Sequence, residues 1–212
     1  MNRALELMGL IIVMLLLSLA HANVETSITS ASSEPEALVK NLTQKLLGVT
    51  SKKQKTEENS LKEVVELIDA QLLPHVNRNQ IVKKVLANHW STTEAPLRAD
   101  FSAAFEQSLV LFLAKNLVQY KDLSIDFKET KLSKSGNAAL VMTSVGSGAQ
   151  ATPLSLVYLL RKEGADTWLV EDFIIDGVSF ITSKQQEFAR PLAQAGVAKL
   201  TADLRAVNAK TR

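Results

Sequence analysis

The chain has 212 residues, of which 24 are basic and 22 acidic, so its net charge is +2, and it contains no cysteine. This near balance is not the signature of a nucleic-acid-binding protein, which needs a clustered basic face. The lack of cysteine excludes disulfides, thiolate metal sites, cysteine nucleophiles and a lipid-anchored cysteine.

The first 22 residues have the three parts of a secretory signal peptide. Arg3 and the amino terminus are positive, the stretch from Leu7 to Leu19 is apolar, and Ala20-His21-Ala22 supplies small residues for cleavage. The apolar stretch is shorter than the roughly 20 residues of a membrane span, although an uncleaved anchor is the alternative. We therefore expect cleavage before Asn23, a flexible polar leader over residues 23–33 and one exported domain over residues 34–212.

Helical periodicity dominates the first hundred residues of this domain. Ser33 is placed to cap the first helix, and a polar loop is expected from Gly48 to Glu58. The spacing of apolar residues predicts a second helix ending before Pro74, a third over Gln80–Trp90 and a long fourth from about Pro96 to Tyr120. One face of the fourth helix carries Phe101, Phe105, Leu109, Phe112 and Asn116.

Alternation replaces this periodicity after Tyr120. Four strands are predicted, beginning near Leu123, Ala138, Leu154 and Trp168, and the short turn at Lys162-Glu163-Gly164 predicts antiparallel pairing of the last two. Helix resumes near Thr182 and is divided at Gly196. Helices, then strands, then helices predict an α+β fold: an antiparallel sheet of about four strands with helices packed on one face.

Catalytic motifs are weak. His75 and His89 match no metal-binding spacing, and Ser179 lies in a segment without the second glycine of a nucleophile elbow. Asp172 and Asp176 fall on the same face of a predicted strand, where they could act as an acid–base pair or cap the following helix.

A possible phosphate loop is also weak. Gly146-Ser147-Gly148 lacks the helix that a phosphate loop requires after it, so a hairpin turn explains this segment better.

The third and fourth strands are unusually rich in apolar residues. Leu or Val fills most positions from Leu154 to Leu160, and Phe173, Ile174 and Ile175 are consecutive. A sheet with one wet face alternates more cleanly. Either the two strands are central and covered on both faces, which is the simpler interpretation, or the sheet curls around an apolar cavity.

Several segments, in this order, resemble the MlaC family, also known as the Ttg2-type toluene-tolerance proteins. The strongest match is the segment of residues 176–181 (DGVSFI), followed by residues 184–188 (KQQEF). Further matches are residues 71–76 (QLLPHV), the aromatic and basic residues between 90 and 105, and the segment of residues 192–204. Leu113 departs from the pattern, because the family usually has tyrosine there.

The resemblance implies a cone-shaped fold like that of nuclear transport factor 2 (NTF2-like), in which helices and a curved sheet enclose an apolar pocket. It implies a periplasmic phospholipid carrier, without catalysis or cofactor, that works between an inner-membrane Mla-type ABC transporter complex and an outer-membrane lipoprotein–porin complex. The alternatives are an NTF2-like enzyme using Asp172 and Asp176, and an adaptor domain with a filled core.

Nine inward-facing residues of the apolar strands, the long helix and the signature segment are the predicted contacts of the acyl chains. They are Phe105, Leu109, Phe112, Leu140, Met142, Leu156, Tyr158, Ile174 and Val178.

Overall fold

The computed structural model describes residues 34–50, 57–119, 123–147, 153–164 and 166–211. The predicted signal peptide and leader therefore lie outside the described residues. Within those ranges, no helix combines the length and the hydropathy that crossing a membrane requires.

The fold is α+β, as predicted, with a curved five-stranded antiparallel sheet. The helices are α1 (Glu34–Thr50), α2 (Glu57–Leu67), α3 (Arg78–Leu86), α4 (His89–Thr92), α5 (Ala95–Gln119) and α6 (Phe180–Thr211). The strands are β1 (Leu123–Leu132), β2 (Ala138–Ser147), β3 (Leu154–Glu163), β4 (Thr167–Ile175) and β5 (Val178–Ser179).

Three predicted helix boundaries were wrong. Helix α1 continues to Thr50 and α2 begins at Glu57, so the expected loop from Gly48 to Glu58 is shorter than its polar composition suggested. Helix α2 continues as a π-helical turn, Ile68–Leu72, and a 3-10 turn, Leu73–His75. The predicted third helix is two helices, because Ala87 has a positive φ of 47° and ends α3.

The strands form a simple meander in the order β1-β2-β3-β4-β5. Residues paired across antiparallel strands share a face, and Val141 pairs with Tyr158 while Ala139 pairs with Leu160. We call this the inner face; the opposite, outer face carries Leu140 and Leu159, which also pair.

Two irregularities interrupt the ladders. One lies in β1 between Phe127 and Glu129, and the other leaves Glu171 of β4 without a partner opposite Leu159 and Leu160. Bulges of this kind increase the twist and bend of a strand, which fits the curvature of the sheet.

Helix α1 covers half of the inner face. Val39 packs there with a cluster of sheet residues that are buried, namely Ala139, Val141, Leu160, Trp168 and Val170. Hydrogen bonds help to fix α1 on this face: the Trp168 indole N–H donates to Glu34, and the Thr130 hydroxyl donates to Glu36.

A second core lies among the helices, where Phe101, Phe105 and Phe188 are buried with their rings in mutual contact. Helix α6 closes this core and bends at Gly196, whose φ of 72° and ψ of 179° confirm the predicted division. Its final turns are held by Asn208, which is buried and donates from its side-chain amide to the Ala104 carbonyl of α5.

Candidate functional site: an open apolar face of the sheet

The inner face is mostly apolar, with the buried Thr143 between Phe127 and Leu156, and its two halves differ in exposure. In the half under α1, Val141 and Leu160 are completely buried. In the other half, the apolar residues are only half-buried, and we call this half the open face. It consists of Leu123, Ile125, Val145, Leu154, Leu156 and Ile175.

Helix α5 shows the same transition from buried to exposed. Phe101, Phe105 and Leu109 lie on one stripe of the helix and are buried, whereas Phe112, the next residue of that stripe, is 40% exposed. Leu123 follows the end of α5 at Gln119 after three intervening residues, so α5 ends within about 14 Å of the open face. The exposed Phe112 lies about two turns before this end of α5.

Phe180, the first residue of α6, connects α5 to the sheet through contacts of its aromatic ring. Its ring lies 6.3 Å from the ring of Phe105 and 6.4 Å from the ring of Phe173 on β4, measured between centroids. Val178, just before it, is 57% exposed and pairs with Ile175 of the open face. These residues place the start of α6 at the rim of the open face.

The structure places the nine predicted contact residues on two opposite surfaces. Six belong to the stripe of α5 or to the inner face and its rim: Phe105, Leu109, Phe112, Leu156, Tyr158 and Val178. Three lie on the outer face, because their ladder partners do: Leu140, Met142 and Ile174. One pocket cannot contain all nine, and whether any of them contacts lipid stays a prediction.

The outer face is also partly apolar, which explains the weak alternation in the sequence. Val157 pairs with Met142 and with Ile174, and all three are half-buried. The covered strand pair that was the simpler interpretation is observed in part: the consecutive residues Trp168–Asp172 of β4 are buried, whereas Leu156, Val157, Ile174 and Ile175 are only half-buried. Alternation had already singled out Leu123, Ile125 and Leu154, but choosing between the faces required the register.

One hydroxyl lies at the boundary between the covered half and the open face. Burial raises the pKa of Tyr158 to about 12, and a hydrogen bond with the side chain of Thr43 on α1 only partly opposes this shift. The phenol is therefore neutral at every physiological pH, and Thr43, itself buried, gives it a polar partner.

The signature segment forms the junction between β4 and α6, and its carboxylates have structural partners. One Asp172 oxygen accepts from the backbone N–H groups of Phe173 and Ile181, and the other from the Ser179 hydroxyl. Ser179 in turn accepts from the N–H of Thr182, which is the contact of a helix cap.

Asp176 differs from its predicted roles. It lies beyond the end of β4 with a φ of 46°, and its carboxylate accepts from the N–H of Ser155, so Asp172 and not Asp176 contacts the first turn of α6. Gly177, the next residue, has a positive φ of 82°. The two carboxylates are therefore not a strand-face pair.

Two cavities lie away from the open face. One of about 300 Å³ lies between the π-helical turn and α5, where Asp69, Leu73, Glu106 and Leu111 are among its lining residues. The other, of about 10 Å³, is large enough for about one water molecule and lies between α3 and α5. Neither of these two cavities is lined by a residue of the open face.

Metal-binding geometry is absent from the part of the chain that the structure describes: no three His, Cys, Asp or Glu side chains come together there in a way that could hold a metal ion. His75 ends the 3-10 turn and His89 begins α4.

Comparison with known proteins agrees with this architecture. One curated relative is the intermembrane phospholipid transport system binding protein MlaC of Haemophilus influenzae, 24% identical over 171 residues, which cover 79% of this chain and 78% of that one. Among solved structures, a phospholipid-binding protein of Ralstonia solanacearum in complex with a phospholipid matches with a TM-score of 0.72 at 20% identity, over 82% of this chain and 97% of that one.

The family model described as MlaC protein matches residues 40–206, which include α5, the open face of the sheet and the β4–α6 junction. The chain therefore belongs to the MlaC family.

Proposed function

We propose that this chain is a phospholipid carrier that holds acyl chains between the open face and the exposed end of the α5 stripe. The observation that supports this most directly is the half-buried apolar surface of the open face, with the exposed Val178 at its rim. Large exposed apolar patches on a soluble domain are typical of binding sites. The names of the Haemophilus and Ralstonia relatives indicate phospholipid as the ligand.

The energetics of lipid extraction require such a surface. Each acyl methylene moved out of water contributes about 0.8 kcal/mol, so two chains of about 15 methylenes amount to roughly 24 kcal/mol. A carrier that left one chain in water would lose about half of this and could not compete with a bilayer. We therefore expect both chains to be bound, with aliphatic walls and the head group in water.

The finer parts of the proposal concern location and partners. The signal-like residues 1–22 support export to the periplasm with cleavage before Asn23. There the carrier would exchange phospholipid with an inner-membrane Mla-type ABC transporter complex and an outer-membrane lipoprotein–porin complex. N-terminal sequencing of the exported protein tests the first point: Met1 on a membrane-bound protein would contradict it.

An enzyme using Asp172 and Asp176 is the less favoured alternative. Asp172 accepts three hydrogen bonds from the β4–α6 junction, and Asp176 accepts one from the backbone of Ser155. Side chains occupied in this way support an architectural role for the segment rather than acid–base chemistry.

Native mass spectrometry of the full chain, exported and purified from a bacterial host, tests the carrier. We expect one phospholipid per protein molecule, chemically unchanged after long incubation. A protein without lipid, which also takes none from added phospholipid, would contradict the carrier and favour the adaptor. Conversion of the lipid would favour the enzyme.

A further inference from the structure

Four aromatic rings form a continuous row across the molecule, from helix α5 to the middle of the sheet. Phe105 contacts Phe180, Phe180 contacts Phe173 of β4, and Phe173 contacts Tyr158 of β3, with centroid separations of 6.3, 6.4 and 5.8 Å. We call these four residues the aromatic row. Rings at these distances are in van der Waals contact, so the row is closed along its length.

The row separates the two halves of the inner face on β3 and β4. On one side lie Leu160 and Val170, which are at most 2% exposed and pack against α1, while Val141 of β2 is level with Tyr158 of the row. On the other side lie Leu156 and Ile175 of the open face, which pair with each other and are half-buried. An acyl chain that enters along the open face therefore reaches the aromatic row before it reaches the buried residues under α1.

Tyr158 holds the sheet end of the row in place. Its hydroxyl is bonded to the side chain of Thr43 on α1, the helix that covers the closed core. Passing the row at this point would break that hydrogen bond and leave a polar group unpaired among apolar neighbours, which makes Tyr158 a firm boundary.

The distance from the rim to the row matches the length of one lipid tail. Strand β3 rises about 3.3 Å per residue, so the four steps from Leu154 to Tyr158 span about 13 Å. The hydrocarbon core of a bilayer is about 30 Å thick, which gives each leaflet about 15 Å.

We infer that the aromatic row is the floor of the acyl-chain pocket and limits the length of chain that this carrier buries fully. The inference rests on the proposed phospholipid binding. Each methylene that cannot be buried beyond the floor forfeits about 0.8 kcal/mol, which is about a four-fold loss in affinity per methylene.

Two pairs of variants test this inference. One variant is designed to shorten the pocket and the other to lengthen it, and each has a control. Leu156→Trp fills the pocket on the open side of the row, and Val157→Trp places the same ring on the outer face of the same strand as its control. Phe173→Leu removes one ring from the row and so opens space beyond it. Its control, Phe188→Leu, removes a similar ring from the helical core.

The probes are saturated phosphatidylcholines with chains of about 12 to 20 carbons, competing for delipidated protein and read by native mass spectrometry. We expect Leu156→Trp to shift the preferred length to shorter chains and Phe173→Leu to longer ones, with both controls unchanged. If Phe173→Leu fails to fold, the comparison of Leu156→Trp with Val157→Trp decides alone.

The outcomes separate the two proposals. An unchanged length profile in folded Leu156→Trp protein that still binds phosphatidylcholine overturns the floor and leaves the carrier intact. A wild-type protein that binds no phosphatidylcholine of any length, and carries no phospholipid from its host, overturns the carrier and the floor together.

Discussion

The Ser179 hydroxyl donates to the Asp172 carboxylate at 2.6 Å, and both side chains also accept backbone N–H groups from the first turn of α6. This small network fixes the direction in which α6 leaves the sheet. Because Phe180 lies inside the same turn, the network also positions the ring that joins α5 to the sheet.

Ser179→Ala should therefore destabilise the protein without removing lipid. The loss of a helix cap costs about 1–2 kcal/mol, and Asp172 loses one of its donors as well. Thermal unfolding and native mass spectrometry on the same preparation measure both effects. Ser183→Ala is the matched control, because its hydroxyl only back-bonds to the Ser179 carbonyl within the helix. Unchanged stability with lost lipid in Ser179→Ala would contradict the architectural role.

The class of the fold and most of the long elements follow from periodicity: α5 matches its predicted limits closely, and β1 begins where it was predicted. The short elements did not follow: β5 has only two residues, and it exists because Ile174 and Ile175 find partners in Val178 and Ser179. The break after α3 depends on one residue, Ala87, in a backbone conformation that alanine rarely adopts. Neither feature produces a repeating pattern of apolar residues, so periodicity in the sequence could not predict it.

The site was predicted only in part, for a related reason. Leu156 and Ile174 are equally apolar, and only the ladder shows that they lie on opposite faces. The bulge at Glu171 shifts the alternation of β4 by one residue, so counting from Trp168 assigns the wrong face to every residue after it. The only hint of this bulge in the sequence of β4 is the acidic Glu171 in a mostly apolar strand.

Glu171 should make stability depend on pH in the acid range. Burial alone would raise the pKa of this carboxyl, but hydrogen bonds and charge from Lys84 and Arg161 outweigh burial and hold its pKa below the usual 4.5. A depressed pKa contributes stability above the unfolded value, and this contribution is lost as pH falls from about 4.5 through the folded value.

Glu171→Gln should cost about 1 kcal/mol at neutral pH, since Lys84 and Arg161 are partly exposed and can be hydrated. The stability gap to wild type, from urea unfolding across pH, should close as the solution is acidified below 4.5. Glu66→Gln, in an exposed pair with Lys62, is the control and should change little. A difference in stability between Glu171→Gln and wild type that stays constant with pH would show that the charge of Glu171 does not stabilise the protein.

Gly196→Ala should destabilise the protein by about 1–3 kcal/mol. With φ 72° and ψ 179°, Gly196 adopts a backbone conformation that is almost restricted to glycine, although a methyl group there would meet no atom within 4 Å. Gly48→Ala is the control: it lies in α1 with equal free space and no positive φ, so alanine should stabilise it slightly. Equal effects of the two changes on the melting temperature would mean that the bend in α6 is not held by Gly196.

Introducing a charge on one face of the sheet at a time tests which face binds the acyl chains. Leu156→Glu puts a carboxylate on the open face, where a bound acyl chain would have to desolvate it, so we expect the protein to fold but lose its lipid. Ile174→Glu puts the same group on the outer face, one residue from Ile175, the ladder partner of Leu156, and we expect lipid to be retained.

Native mass spectrometry reports lipid occupancy for both variants, and circular dichroism checks that each is folded. Both side chains are half-buried, so the cost in stability should be similar and cannot by itself explain a difference in lipid. The reverse outcome, with lipid lost from Ile174→Glu and retained in Leu156→Glu, would place the pocket on the outer face with Leu140 and Met142. Retention in both variants would mean that neither face of the sheet holds the acyl chains.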